Sequence, residues 1–129
     1  MATWDDVRRL AMAMPEATEK TSRDKAQWRV KDKLFVWERP LRQSDLNALG
    51  DEAPDGPILG ARVEHEMAKE ALIADDPKVF FTTPHFDGYP AILVQLDKIS
   101  LKDLEEVVVE AWLCRAPPKL VKAYEGKAG

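Results

Sequence analysis

Apolar residues recur at helical spacing close to the amino terminus. Thr3 can cap a helix there, with Asp6 three residues later as in a capping box, and Pro15 marks its end. The residues expected to face the core are Val7, Leu10, Ala11 and Met14.

A longer helical pattern follows Ser100, with Asp103 forming a second capping box. Its expected inner face consists of Leu101, Leu104, Val107, Val108, Ala111 and Cys114. Pro117 and Pro118 end this helix, and residues 119–125 are expected to form a last short helix on the surface.

Two segments rich in strand formers, 26–30 and 34–38, predict a β-hairpin. The turn lies at 31–33, where Asp32 tolerates the left-handed conformation. Trp28 and Trp37 are expected to be buried on the inner face of this hairpin. Residues 16–25 are polar and turn-like, and residues 41–57 predict a loop with room for a helical turn over 44–49.

Residues 59–65 alternate between apolar and polar positions, which predicts a strand with one face in water. A helix over 66–74 follows, with the expected inward residues Met67, Ala68, Ala71 and Leu72. Two further apolar strands, 79–83 and 90–96, are joined by the stretch TPHFDGYP. In that stretch Asp87-Gly88 is a hairpin-turn signal, and Gly88 can supply a positive φ.

The resulting order α-β-β-β-α-β-β-α predicts an α+β fold, an antiparallel sheet with helices packed on one face. A length of 129 residues fits one domain over 1–129, with 117–129 as a short surface tail.

The composition is that of a soluble globular protein with no apolar run long enough to span a membrane. The amino terminus lacks the pattern of a secretory signal. Cys114 is the only cysteine, which favours a reducing, cytoplasmic location. A monomer is the favoured state.

Charge is unevenly distributed along the chain, whose net charge is −4. Residues 20–44 hold eight Lys/Arg and three Asp/Glu, a local +5, whereas residues 45–76 hold two Lys/Arg and nine Asp/Glu, a local −7. Cations on a two-stranded ribbon could neutralise phosphates. The candidate nucleic-acid contacts are Lys25, Arg29, Lys31, Lys33, Arg39 and Arg42. The alternative is a solvated outer face of the hairpin.

No catalytic constellation is recognisable. The chain contains no nucleophile elbow and no glycine-rich phosphate loop, and one cysteine with two histidines excludes a structural zinc site. We therefore expect no catalytic residues, metal or cofactor. His85 and Asp87 as an acid–base pair, or His65 and His85 as metal ligands, are weaker alternatives. His85, Asp87 and Tyr89 are instead candidates for the rim of a ligand site.

Several motifs together resemble the MmcQ/YjbR family of small bacterial proteins. They are WRVKDKLFVW, ADDPKVFFTTPHFDGYPAILVQL and EAWLCRAPPKLVKAYE, and the resemblance covers about residues 3–125. It implies a frataxin-like (CyaY-like) α+β fold with a twisted antiparallel sheet. Members are often labelled DNA-binding by analogy with a double-winged shape, which would make 26–38 one wing and the His85–Pro90 turn its counterpart. The chain has Asp32 where relatives often have glycine.

Two functional hypotheses remain. The first is a non-catalytic module that binds DNA weakly and without sequence preference through residues 25–42. The second is a domain that binds a protein or a small ligand and has no nucleic-acid role.

Overall fold

The structure, a computed structural model, describes residues 2–128 and contains six strands and five α-helices within them. The strands are β1 (Ala17–Ser22), β2 (Lys25–Val30), β3 (Lys33–Glu38), β4 (Ile58–Arg62), β5 (Phe80–Phe81) and β6 (Ala91–Gln95). The helices are α1 (Trp4–Met12), α2 (Gln43–Leu49), α3 (Glu66–Asp75), α4 (Leu101–Arg115) and α5 (Pro118–Ala128). Short 3₁₀ turns lie at Gly50–Glu52 and Pro84–Phe86.

The strands form one antiparallel sheet in the order β1-β2-β3-β4-β6-β5. Helices α1 and α4 pack on one face of this sheet, which we call the helix face, and the opposite side is the open face. Trp28 is buried on the helix face, and the Trp112 indole of α4 donates a hydrogen bond of 3.1 Å to the Pro15 carbonyl after α1. The predicted α+β class with an antiparallel sheet is confirmed.

Both predicted N-cap residues mark true helix starts, and Thr3 with Asp6 forms the complete capping box. The Thr3 hydroxyl accepts the Asp6 amide at 3.3 Å, and the Ser100 hydroxyl accepts the Asp103 amide at 3.1 Å. The expected inner face of α4 was wrong at its ends, because Leu101 is 47% exposed and Cys114 is only half-buried.

The prediction of a turn-like segment over 16–25 was wrong, because β1 occupies most of it. This edge strand is almost wholly exposed, so it carries no apolar alternation that would reveal it. It pairs with β2 through a two-residue turn in which Arg23 and Asp24 both have positive φ.

The predicted hairpin of β2 and β3 is confirmed, and Lys31 and Asp32 form its turn with φ of +48° and +67°. The prediction that Trp37 and Trp28 share one face of the hairpin is wrong. Trp37 pairs with Gln27 and Trp28 pairs with Val36, so the two indoles lie on opposite faces.

The open face has a small hydrophobic core of its own, made of Trp37, Ile58, Phe86, Ala91 and Leu93. The Trp37 ring lies directly against Gly60 of β4, where a Cβ would overlap the indole. The expected inward residues Leu59, Ala61 and Val63 are buried, and Glu64 is exposed. The prediction that the other face of this strand is wet was wrong, because Ile58 and Gly60 on that face of β4 are buried.

Helix α3 has a different inner face from the one its sequence predicts. Met67 is 74% exposed and Ala71 is exposed, whereas Lys69 is buried at 2% exposure. Leu72 and Ala68 pack against the main core as expected.

The segment between β5 and β6 is longer than the predicted hairpin turn. Strand β5 has only two residues, and the 3₁₀ turn Pro84–Phe86 follows it before β6 begins at Ala91. Gly88 has the predicted positive φ, at +77°.

The two remaining predicted helices are present, and each is longer than predicted. Helix α2 includes the helical turn expected over 44–49, and α5 extends beyond the expected 119–125. Helix α5 packs through Tyr124, whose ring centroid lies 5.3 Å from that of Trp112.

The contact between Trp37 and Gly60 predicts the effect of a single methyl group. Gly60→Ala should lower the free energy of unfolding by roughly 1–3 kcal/mol, because the added Cβ would displace the indole. Urea denaturation measures this change.

Gly126→Ala is the matched control, because open space surrounds that helical glycine and alanine is the better helix former. Its stability should equal or slightly exceed that of the wild type. Wild-type stability in Gly60→Ala would contradict the packing described here.

A candidate binding cleft on the open face of the sheet

A cleft of about 870 Å³ lies on the open face, and we call it the basic cleft. The turn after β1 supplies one wall with Ser22 and Arg23, and the loop after β5 supplies the opposite wall with His85 and Tyr89. Its remaining lining comes from Lys25, Gln27, Leu34, Trp37, Glu38, Arg39, Pro40, Leu41, Arg42 and Phe86.

The alternation of β2 explains why cations gather here. Lys25, Gln27 and Arg29 are spaced by two, so all three project from the face opposite α1 and α4, where Lys25 and Gln27 line the cleft. Among the residues described, Arg23, Lys25 and Arg42 form no ion pair. Glu38 is the one carboxylate in the lining that residues 2–128 supply. The cleft therefore carries uncompensated positive charge.

Arg39 differs from the other cations of the cleft because it is buried. Its Nη2 lies 3.1 Å from Asp45 Oδ2, and Asp45 is itself 1% exposed. The Arg39 guanidinium also lies 5.2 Å from the centre of the Phe86 ring. The pair thus joins the end of β3, α2 and the loop after β5.

The pKa of Asp45 reflects this position. Burial acts to raise the pKa, but the Arg42 backbone amide at 2.9 Å and the charge of Arg39 favour the ionised carboxylate more strongly. The pKa of Asp45 therefore lies below its usual value.

The loop 84–90 is held in place by the buried ammonium group of Lys69. Its Nζ donates to the carbonyl oxygens of Phe86 at 2.8 Å and Tyr89 at 3.0 Å, and it lies 3.2 Å from Glu66 Oε1. A buried ammonium is stable only when its donors are satisfied. These three acceptors therefore explain why a lysine is tolerated on the buried face of α3.

The side chains of this loop are also oriented. Arg62 Nη1 donates to the Tyr89 hydroxyl at 2.9 Å, and its guanidinium lies 5.0 Å from the ring centre. The His85 ring packs edge-on against Phe86, with 4.9 Å between centroids. One wall of the cleft is therefore formed by two oriented rings.

The structure brings together only part of each predicted residue set. Lys25, Arg39 and Arg42 from the basic segment line the cleft with His85 and Tyr89, although the burial of Arg39 removes it from easy contact with a phosphate. The predicted residues that do not line the cleft are Arg29, Lys31, Lys33 and Asp87. Arg29 Nη2 donates a hydrogen bond of 2.9 Å to Gln27 Oε1, and Lys31 Nζ forms an ion pair with Glu16 Oε1 at 2.6 Å.

Sequence reasoning missed several residues of the lining. Arg23 was assigned to a turn-like segment, and Trp37 was assigned to the wrong face. Arg23 directly precedes the basic strand β2, and this position could have suggested that it belongs with the cations of that strand. The β1–β2 turn that contains Arg23 can be placed only when β1 is recognised, and β1 is too exposed to show an apolar pattern.

The alternative sites based on histidine and cysteine gain no support from the geometry. The His65 Nδ1 accepts the Ala68 amide at 3.1 Å and so caps α3. Within residues 2–128, no three side chains of His, Cys, Asp or Glu come close enough to hold a metal ion. Burial raises the pKa of Cys114, which leaves this thiol a poor nucleophile at neutral pH.

A group of carboxylates lies on the helix face. A smaller cavity of about 190 Å³ there has an apolar floor, and its charged lining consists of Asp75, Asp76, Asp103, Glu106 and Glu110 with the single cation Arg62. The sheet thus separates an acidic region from the basic cleft, and this separation reconciles a net charge of −4 with a locally positive site.

Comparison with known proteins gives the family. The YjbR family model matches residues 12–114. The chain belongs to the YjbR family. This result confirms the resemblance found in the sequence motifs.

Relatives and a solved structure agree with this membership. "Uncharacterized protein Mb2600" of Mycobacterium bovis and "Uncharacterized protein Rv2570" of Mycobacterium tuberculosis are each 54% identical to the chain, over the full length of both proteins. The crystal structure of Deinococcus radiodurans protein DR2400, a DUF419 domain, matches with a TM-score of 0.68 at 20% identity, covering 98% of this chain and 88% of that one. DUF419 is the same family as MmcQ/YjbR, and the likeness shows a common fold. The closer comparison with frataxin stays a prediction.

No helix between residues 2 and 128 combines the length and the apolar character needed to cross a membrane.

The contacts of Lys69 predict a specific stability effect. Lys69→Met should lower the free energy of unfolding by roughly 2–3 kcal/mol, because the hydrogen bonds from the charged Nζ to the carbonyl oxygens of Phe86 and Tyr89 are lost. Lys98→Met, at an exposed position, should change it by less than about 0.5 kcal/mol. Equal stability of the two variants in chemical denaturation would contradict this role of Lys69.

The lowered pKa of Asp45 predicts a pH dependence. Because this pKa is lower in the folded chain than its usual 3.8, the ionised group stabilises the fold above about pH 4, and this contribution is lost as the pH falls through the folded-state pKa. Asp45→Asn should therefore cost about 3 kcal/mol at pH 7, since it leaves Arg39 buried without a counter-charge.

The difference between the wild type and Asp45→Asn should shrink as the pH falls below 3.8. Thermal denaturation of both proteins from pH 7 to pH 2.5 measures it. A constant difference over that range would show that Asp45 acts through packing alone.

Proposed function

We propose that this protein is a non-catalytic module that binds nucleic acid weakly and without sequence preference, and that the basic cleft is the contact surface. The observation that carries the proposal is the grouping of Arg23, Lys25 and Arg42 in one cleft without ion-pair partners among residues 2–128. Guanidinium and ammonium groups in such a position can each replace a counterion of a phosphate.

The separation of charge across the sheet supports the same proposal. A polyanion is attracted to the basic cleft and repelled by the carboxylates of the helix face. The protein would thus approach a nucleic acid with its open face forward. This orientation needs no positive net charge.

The proposal moves the contact from the ribbon to the cleft. Lys31 and Lys33 are at the β2–β3 turn, outside the lining. Ribbon binding would depend on these two lysines, whereas cleft binding depends on Lys25 and Arg42. The two modes therefore make opposite predictions for paired substitutions.

The second candidate is a small anionic ligand in the same cleft, and its volume is the reason. About 870 Å³ lies within the range of roughly 300–1,000 Å³ typical of small-molecule sites. A thermal-shift screen with nucleotides and metabolic anions tests it, and a saturable stabilisation by one compound would favour this candidate.

We further propose that the protein acts as a monomer in the cytoplasm.

Neutralising the cleft should weaken binding selectively. The double variant Lys25→Gln with Arg42→Gln should bind a labelled oligonucleotide at least tenfold more weakly at low salt. The slope of log affinity against log salt should also fall by about one for each lost phosphate contact. Fluorescence anisotropy measures both quantities.

The matched control is Lys31→Gln with Lys33→Gln, which removes the same number of charges outside the cleft. Its affinity should fall by less than about threefold, since only the general field changes. A large loss in this control with little loss in the cleft variant would overturn the cleft proposal and favour ribbon binding. No binding by the wild type at low salt would reject a nucleic-acid role.

A further inference from the structure

We propose that the basic cleft receives an unpaired, single-stranded segment of nucleic acid, with a base stacked on Tyr89 and neighbouring phosphates on Lys25 and Arg42. This inference rests on the proposed function and specifies its ligand. It follows from the shape of the site and from the way in which the Tyr89 ring is held.

Shape is the first argument. Proteins that read duplex DNA insert a protruding helix or ribbon into a major groove roughly 12 Å wide. Here the cations line a concavity between two walls, the β1–β2 turn and the loop 84–90. A concave site of this size can enclose one or a few nucleotides, but it cannot enter a groove.

The exposure of Tyr89 is the second argument. Its side chain is among the few large apolar groups of residues 2–128 that remain exposed, at 45%. The other aromatic rings of the lining, Trp37 and Phe86, are at least nine-tenths buried. Tyr89 and the exposed His85 are therefore the rings of the cleft that a base can contact. The Arg62 guanidinium covers one face of the Tyr89 ring, so the base would stack on the other face.

Preorganisation of Tyr89 is the third argument. The Arg62 guanidinium holds its hydroxyl, and Lys69 holds its carbonyl. An exposed ring fixed at both ends loses little freedom when a base stacks on it. Stacking of bases on aromatic side chains, next to a cationic groove, is how proteins bind single strands without sequence preference.

The chemistry of the cleft matches the two parts of a nucleotide. Lys25 and Arg42 supply positive charge for the phosphate, and Tyr89 supplies an aromatic surface for the base. In a duplex the base faces are already stacked on their neighbours, so only an unpaired strand can use both parts.

The experiment compares a labelled oligothymidylate of about 12 nucleotides, within the usual range of single-strand site sizes, with a duplex of equal length. Anisotropy titrations are run at one low salt concentration, and unlabelled thymidine monophosphate is added as a competitor. We expect the single strand to bind at least tenfold more tightly than the duplex, and the mononucleotide to compete only weakly.

Variants of Tyr89 test the stacking directly. Tyr89→Ala should weaken single-strand binding by roughly tenfold, within the range found for loss of one stacked base. Tyr89→Phe keeps the ring and should retain most of the affinity. Far-ultraviolet circular dichroism and thermal denaturation establish that both variants are folded.

The outcomes separate this inference from the proposed function. Duplex binding equal to or tighter than single-strand binding overturns the inference and leaves nucleic-acid binding in place. Unchanged single-strand affinity in folded Tyr89→Ala also overturns it, as does a mononucleotide that binds as tightly as the strand. Absence of binding to every oligonucleotide rejects the proposed function itself.

Discussion

The buried ammonium group of Lys69 is the interaction on which the candidate site depends. It joins α3 to the carbonyl oxygens of Phe86 and Tyr89, and so fixes a loop that contains only one short 3₁₀ turn. Burial of the charge would be costly without these acceptors. Each carbonyl oxygen also accepts a backbone amide, from Tyr89 at 3.0 Å and from Ala91 at 2.8 Å, and the ammonium adds a charged donor to both. The loop and the lysine therefore stabilise each other, and the wall of the cleft follows from that pair.

Two other contacts also fix the elements of the open face in place. Gly60 allows the Trp37 indole to lie flat on the sheet, and the Arg39–Asp45 pair attaches α2 beside it. Together they cover the middle of the open face and leave the part over β1 and β2 accessible. The buried carboxylate of Asp45 is engaged by Arg39 and by the Arg42 backbone amide.

Much of the fold could be predicted because it depends on local signals. The capping residues Thr3 and Ser100 and the hairpin turn at Asp32 act on their immediate neighbours. What could not be predicted depends on distant partners. Lys69 is buried only because a loop 17 to 20 residues away offers carbonyl groups.

The parts of the candidate site could be predicted from the sequence, but their arrangement could not. The basic segment and the loop with His85 and Tyr89 could each be recognised from composition, but their meeting in one cleft depends on the strand order. The exposed strand β1 has no apolar periodicity, so its turn and Arg23 could not be placed.

If the basic cleft of the open face is the binding surface, its residues should respond first when a ligand is added. A map of backbone amide chemical-shift changes shows this as a single-stranded oligonucleotide is added to the isotope-labelled protein. We expect the largest changes at Lys25, Arg42 and Tyr89, with small changes on the helix face. Changes centred on Lys31 and Lys33, or on the carboxylates between α3 and α4, would contradict this expectation.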